Sequence, residues 1–148
     1  GTGEEKYAND FLKLQERYPD YVGVKIMYDE ALAHKIEAGA DMFLMPSRYE
    51  PCGLNQIYSL RYGTVPLVRA TGGLDDTIGD FDQSPEPTGF KFSSTTPAEL
   101  LRTVRRAFAV YSTPQRWLQL MKNGMSKDYS WHQSARKYVE LYKSLLPR

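Results

Sequence analysis

Met42-Phe43-Leu44-Met45 and Val65-Pro66-Leu67-Val68 are short, unbroken apolar runs, each followed by a glycine-bearing loop. Runs of this length without polar alternation fit strands buried on both faces of a parallel sheet. Two parallel strands need a crossover long enough to hold a helix, and residues 53–62 between the runs have helical spacing. The pattern predicts right-handed βαβ units and a mainly parallel, doubly wound α/β sheet. Pro66 has no N–H to give to a neighbour, so it must sit near the start of its strand.

The flanking segments extend this alternation. Residues 4–18 predict a helix with Tyr7, Phe11 and Leu14 on one face, Ala8 and Leu12 beside it, and Pro19-Asp20 as its stop. Residues 21–28 read as β, because Val22, Val24, Ile26 and Tyr28 alternate with other residues. Asp29 can cap a helix running to about Ala38, with Gly39 as its stop. In the 53–62 helix, Leu54, Ile57 and Leu60 are expected to face inward and Gly63 to end it. Thr71-Gly72-Gly73 reads as a loop, 75–82 is undecided, 83–88 is an exposed loop, and 89–92 is a short strand.

The last third is helical. Thr96-Pro97-Ala98-Glu99 is a capping box with proline at the first helical position, and Leu100, Val104, Phe108 and Tyr111 make the apolar stripe. Thr113-Pro114 starts a second helix that packs Trp117, Leu120 and Met121. A third starts near Ser130 and carries Tyr138, Val139, Tyr142, Leu145 and Leu146. At the other end, Gly1-Thr2-Gly3 reads as a loop between a strand and a helix, so the chain is expected to be cut from a longer protein.

A chain of 148 residues, 41% hydrophobic and 25% charged, suits one globular domain with one core. The net charge of +1 provides no electrostatic reason for a nucleic-acid or anionic-membrane partner. No apolar run approaches the roughly 18 residues that span a bilayer. The polar start is not a signal peptide. Cys52, the single cysteine, cannot form an internal disulfide, which suits a reducing cytoplasm.

Ligands of open parallel sheets bind beyond the carboxyl ends of the strands. Those ends are Tyr28-Asp29, residues 46–55, residues 70–74, and the region after Phe92. Around Gly53-Leu54-Asn55 a helix begins, and its unpaired N–H groups and dipole suit a phosphate. Gly53 lets a ligand approach the backbone, Asn55 can add an amide, and Glu50 can accept hydrogen bonds from hydroxyls. Amides for phosphate beside a carboxylate for hydroxyls are what a sugar nucleotide requires. The pattern leaves the plain alternative open: Glu50 as a solvated loop carboxylate and Gly53 as a tight turn. Thr71-Gly72-Gly73-Leu74 either lines the same cleft or only turns the chain. Tyr28 reads as a base-stacking ring or as a rim tyrosine.

The remaining chemistry-bearing residues point away from catalysis. His34 lies mid-helix and His132 follows a cap, and no His/Cys/Asp cluster has metal-ligand spacing. Cys52 has no histidine near it to act as a base, so a buried or backbone-positioning role is expected. Arg102, Arg105 and Arg106 read as a solvated helix face.

Ser47-Arg48-Tyr49-Glu50-Pro51-Cys52-Gly53-Leu54-Asn55-Gln56 strongly resembles the bacterial glycogen synthase and plant starch synthase family. So do Arg61-Tyr62-Gly63-Thr64-Val65-Pro66-Leu67-Val68 and Thr71-Gly72-Gly73-Leu74-Asp75-Asp76-Thr77. Tyr28-Asp29-Glu30, Gly39-Ala40-Asp41 and Tyr129-Ser130-Trp131 extend the resemblance over nearly the whole chain. It implies a retaining transfer of glucose from ADP-glucose or UDP-glucose to the non-reducing end of an α-1,4-glucan. It also implies GT-B architecture, two Rossmann-like domains facing a cleft. Residues 1–148 would form part of the C-terminal, donor-binding domain, ending in helices over about 97–146.

By motif match, Glu50 would be the catalytic-site carboxylate that holds donor glucose hydroxyls. Amides near Cys52 and Gly53 would hold the same sugar, Leu54 and Asn55 would face the phosphates, and Tyr28 would pack against the base. Thr71, Gly72 and Gly73 would line the cleft. No metal is implied, because cationic side chains neutralise the diphosphate. Relatives with this fold often carry a second glutamate eight residues after the first; here that position is Tyr58, which narrows the family. The family's donor-side arginine and lysine, two strands of this sheet, and the N-terminal domain with its acceptor-side groups are expected before Gly1. The isolated chain is therefore expected to be inactive. A sheet lacking two strands has an open edge, and open edges pair with other chains. Dimerisation through that edge or the last helix is an option that the sequence does not decide.

Overall fold

In the computed structural model, which describes residues 4–146, helices and strands alternate through the middle of the chain as the apolar runs require. The order is α1 (Glu5–Arg17), α2 (Glu30–Gly39), β1 (Met42–Met45), α3 (Asn55–Tyr62), β2 (Val65–Arg69), α4 (Gly72–Thr77), β3 (Phe90–Phe92), α5 (Pro97–Tyr111), α6 (Pro114–Met125) and α7 (Trp131–Leu145). Gly1-Thr2-Gly3, read above as a loop, lies outside the described residues. The chain divides into two compact units, Gly1–Ile36 and Glu37–Arg148.

In the second unit the strands form one parallel sheet in the order β1-β2-β3. Met42 pairs with Val65, and Leu67 pairs with Phe90. Side chains alternate along β2, so each face collects its own core. Val65, Leu67 and Phe90 pack with Ala107 and Val110 of α5 and with Trp117 and Leu120 of α6. Val68 faces the other way, against Leu60, Leu74 and Ile78. Helices therefore cover both faces, as a parallel sheet requires. Pro66 fits for a local reason. Val65 N donates to Asp41 O, so the donor that Pro66 lacks would face the β3 side, where pairing starts only at Leu67. Opposite Pro66 stands Gly89, whose added Cβ would lie 2.4 Å from the Pro66 carbonyl.

Several local signals act as expected. Asp29 Oδ1 accepts Leu32 N at 2.9 Å, and Thr96 Oγ1 accepts Glu99 N at 3.4 Å. Gly63 ends α3 with φ +83°, in the left-handed region that glycine favours. Trp117 and Leu120 are buried in α6 as predicted.

Other expectations are corrected. Residues 21–28 form no strand, because a β pattern needs a neighbouring strand to take its N–H and C=O groups. Here Tyr21 N and Val22 N turn back to Tyr18 O instead. β1 is half-buried rather than buried on both faces, since it is the edge of the described sheet and leaves Leu44 43% exposed. Leu54 is exposed, and the inward face of α3 is Gln56, Ser59 and Leu60. The α5 stripe is also rotated. Thr103, Ala107 and Val110 are buried, while Phe108 and Tyr111 are exposed. Small residues let the α5 backbone come close to β3, and the large rings move to its flanks. Gly39 is the last residue of α2 rather than a left-handed stop. In the 83–88 loop, Thr88 is buried, with its Oγ1 accepting Gly79 N at 3.0 Å.

Arg106 is not a solvated charge either. It pairs with the buried Asp80 at 3.0 Å and with Asp82, donates to Lys91 O at 3.3 Å, and lies 5.7 Å over the Phe90 ring. Asp80 also accepts Lys91 N at 2.6 Å, which fixes β3. Neither α1 nor α7 has a buried residue. Among the described residues no helix is long and apolar enough to cross a membrane.

Phe90 is fully buried and stacked on Phe81 at a centroid distance of 5.3 Å. Phe90→Ala should therefore lower the unfolding free energy by about 3–5 kcal/mol in urea denaturation followed by circular dichroism.

Candidate functional site

Two turns leave the carboxyl edge of the sheet side by side. The loop over 46–54 follows β1, and the start of α4 follows β2. Thr71-Gly72-Gly73, read as a loop, is in fact the N-cap and first two residues of α4. The turns meet backbone to backbone. Gly73 N donates to Glu50 O and Pro51 O, both at 3.2 Å. A Cβ on Gly72 would stand 2.2 Å from Glu50 O, and Gly72 has φ +47°. A Cβ on Gly73 would stand 3.0 Å from Cys52 Cα. Only glycine permits this approach, and the approach sets where Glu50 sits.

The Glu50 side chain lies over the next glycine. A Cβ on Gly53 would be 3.3 Å from Glu50 Cγ and Cδ and 2.7 Å from Gln56 Oε1. Glu50 is half-buried, and its Oε2 accepts Ser47 Oγ at 3.4 Å. A carboxylate has about four lone-pair sites, so acceptor capacity remains for hydroxyl groups. One turn later α3 begins at Asn55, with Leu54 as an N-cap that makes no side-chain cap bond. Both are exposed, and the first N–H groups of a helix have no acceptor within it. Such an end attracts an anion through those donors and the helix dipole.

A polar network centred on the buried Gln56 holds the two turns from beneath. Gln56, with no exposed surface, donates Nε2 to Gly53 O at 2.6 Å and to Thr77 Oγ1 at 3.4 Å. Thr77 Oγ1 donates to Gly73 O at 2.5 Å, and the Tyr129 hydroxyl donates to Thr77 O at 2.6 Å. Burial pushes the Tyr129 phenol above its ordinary range, and the nearby Lys127 charge opposes that. One carbonyl from each glycine turn is thus fixed by a side chain of the helix beneath.

Glu50, Cys52, Gly53, Leu54, Asn55, Thr71, Gly72 and Gly73 are therefore brought to one edge of the sheet. The Cys52 thiol is exposed, so a buried role is corrected; the residue serves through its backbone, packed on Gly73. Tyr28 belongs to the first unit, where it is 86% exposed just before the Asp29 cap. His34 lies in α2, and the exposed His132 lies in α7. Sequence reasoning missed Gln56 and Thr77. Gln56 could have been found from its place three residues after Gly53 in a helix's first turn. Thr77 has no signal of its own, because its partners are contributed by other elements.

Residues 3–123 match the family described as Glycosyl transferases group 1. The chain is 55% identical over 144 residues to the glycogen synthase of Koribacter versatilis, covering 97% of this chain and 30% of that protein. It is 54% identical over 150 residues to the glycogen synthase of Thermotoga maritima, covering 100% of this chain and 31% of that protein. Among solved structures it is similar to the catalytic domain of starch synthase IV from Arabidopsis thaliana bound to ADP and acarbose. That match has a TM-score of 0.80 at 36% identity and covers 92% of this chain and 29% of the other. Sucrose-phosphate synthase from Thermosynechococcus elongatus matches with a TM-score of 0.68 at 25% identity, covering 98% of this chain and 37% of that one. The chain spans about a third of the length of these relatives.

The contact of the two turns predicts unequal tolerance among the glycines. Gly72→Ala should lower the unfolding free energy by more than about 1 kcal/mol, since both its φ and its space exclude a Cβ. Gly39→Ala, where an added Cβ meets nothing within 4 Å, should leave urea-denaturation stability unchanged or raise it.

Proposed function

The chain belongs to the group 1 glycosyl transferases, and we propose that its full-length protein is a glycogen or starch synthase. In this reading it transfers glucose, with retention, from ADP-glucose to the non-reducing end of an α-1,4-glucan. The observation that carries the reading is the placement of Glu50 beside the uncapped start of α3. That arrangement supplies an acceptor for sugar hydroxyls and donors for a diphosphate a few residues apart. The 54–55% identity to proteins named glycogen synthase favours glucan synthesis over other uses of the fold. The ADP in the similar starch synthase structure favours an adenine donor.

Each residue has a role in this proposal. Glu50 accepts hydrogen bonds from the donor glucose hydroxyls and holds the sugar as its anomeric bond breaks. The backbone amides of Cys52 and Gly53 steady the same sugar. Leu54 and Asn55 present the first amides of α3 to the diphosphate, where the helix dipole opposes the charge left on the departing nucleotide. Thr71, Gly72 and Gly73 line the cleft and hold Glu50 in place. Cations from the rest of the protein, rather than a metal, complete the neutralisation of the diphosphate. The chain is part of the C-terminal, donor-binding domain of a GT-B enzyme that works in the bacterial cytoplasm.

Glu50→Gln in the full-length protein removes a charge-assisted hydrogen bond worth about 1.5–3 kcal/mol. With ADP-glucose and glycogen, kcat/KM should fall roughly ten- to a hundredfold; unchanged turnover would remove Glu50 from the site. Comparing ADP-glucose, UDP-glucose and GDP-mannose as donors decides between this reading and a relative with another donor. The isolated chain should show no transfer and only weak ADP binding, because a helix end contributes about 0.3–1 kcal/mol at an exposed site. Low-micromolar binding in calorimetry would contradict that.

A further inference from the structure

Arg69 ends β2, the central strand of the described sheet, and its guanidinium reaches the loops on both sides. Nη1 donates to Arg48 O at 2.7 Å and to Ser47 O at 3.3 Å. Nε donates to Ser93 O at 3.1 Å, just past the end of β3. Among the described residues no carboxylate forms an ion pair with it. The charge is therefore used on three backbone carbonyls rather than on a counter-ion. Ser47 and Arg48 belong to the loop that carries Glu50.

We propose that Arg69 is a positioning residue of the donor site, holding the Glu50 loop against the end of the sheet. This inference rests on the donor-side reading of Glu50. The loop is pinned after Glu50 by Gly73 N, which donates to the Glu50 and Pro51 carbonyls. Before Glu50 it is pinned by the Arg69 clamp. Ser47 Oγ, at 3.4 Å from the Glu50 carboxylate, is too long and too flexible a contact to replace that clamp. A planar guanidinium offers five donors in a fixed fork and can serve carbonyls on two sides at once, whereas a lysine ammonium is a compact point charge. Arg69→Lys keeps the charge and loses the clamp. Glu50 then samples positions away from the sugar, and a displacement of about 1 Å can cost a hundredfold in rate. The amides at the start of α3 do not depend on the clamp, so the loss falls on kcat more than on the KM for the nucleotide sugar.

The experiment compares the full-length wild type with Arg69→Lys and Arg69→Ala, in turnover with ADP-glucose and glycogen and in amide hydrogen exchange. Wild-type turnover tests the enzyme reading; the ratio of variant to wild type tests Arg69. For Arg69→Lys, kcat should fall about ten- to a hundredfold, with a much smaller change in KM. Added guanidinium ion should restore part of the activity of Arg69→Ala. Exchange should accelerate in residues 46–52 and stay unchanged in α5 and α6. The proposal is overturned if Arg69→Lys turns over like wild type. It is equally overturned if exchange accelerates throughout the chain and guanidinium restores nothing, since Arg69 would then be a general stabiliser. Should the wild type transfer sugar from no donor, the enzyme reading fails, and exchange in residues 46–52 alone decides whether Arg69 holds the loop. Equal exchange in variant and wild type refutes it.

Discussion

The carboxyl edge of this sheet depends on how closely two backbones can pass. Gly73 N reaches the carbonyls of Glu50 and Pro51 only because Gly72 and Gly73 leave no side chain in between. That contact sets the distance between the loop after β1 and the start of α4. It also places the Glu50 side chain over Gly53, next to the first turn of α3. A carboxylate and a set of free helix amides are ordinary features by themselves. Held a few residues apart at one strand edge, they place an acceptor for hydroxyls next to donors for an anion, which is what the proposed sugar-nucleotide donor requires.

The support beneath the edge is polar and centres on the buried Gln56, and a buried polar group is costly unless it finds partners. Gln56 and Thr77 satisfy the carbonyls of Gly53 and Gly73, and Tyr129 closes the chain from the α6–α7 linker. On the far side of the sheet, Asp80 and Arg106 fix β3 through backbone and charge together. β2 is thus held between two polar frames and two apolar faces. Its last residue, Arg69, then serves as a fixed base from which the neighbouring loops are held.

Much of this was legible in the residues themselves. The two apolar runs became parallel neighbours, Asp29 and Thr96 capped their helices, and Gly63 ended α3 in the left-handed region. The stretch from Glu50 to Asn55 stood out because its glycine, carboxylate and helix start lie within one short segment, and the structure brings them to one strand edge. The misreadings share a cause. The alternation over residues 21–28 is a strand signal, but its N–H groups at Tyr21, Val22 and Val24 turn back to Tyr18 O and Gln15 Oε1 instead of pairing with a strand. The α5 stripe looked best centred on Phe108, yet the sheet selected the small residues Thr103 and Ala107. Arg106 read as a surface charge because Asp80, its partner, lies 26 positions away.

The sequence by itself determined the parallel α/β class, most helix boundaries, and the loop that carries Glu50. Those follow from interactions within a few residues: apolar continuity, caps, and the φ freedom of glycine. Tertiary structure alone decided which face of each helix is buried and why both Gly72 and Gly73 are needed. It also decided that Gln56, Thr77 and Arg69 bond to the carbonyls of the turns around Glu50. Each of these depends on atoms brought together from distant positions, where the space left by one backbone is defined by another.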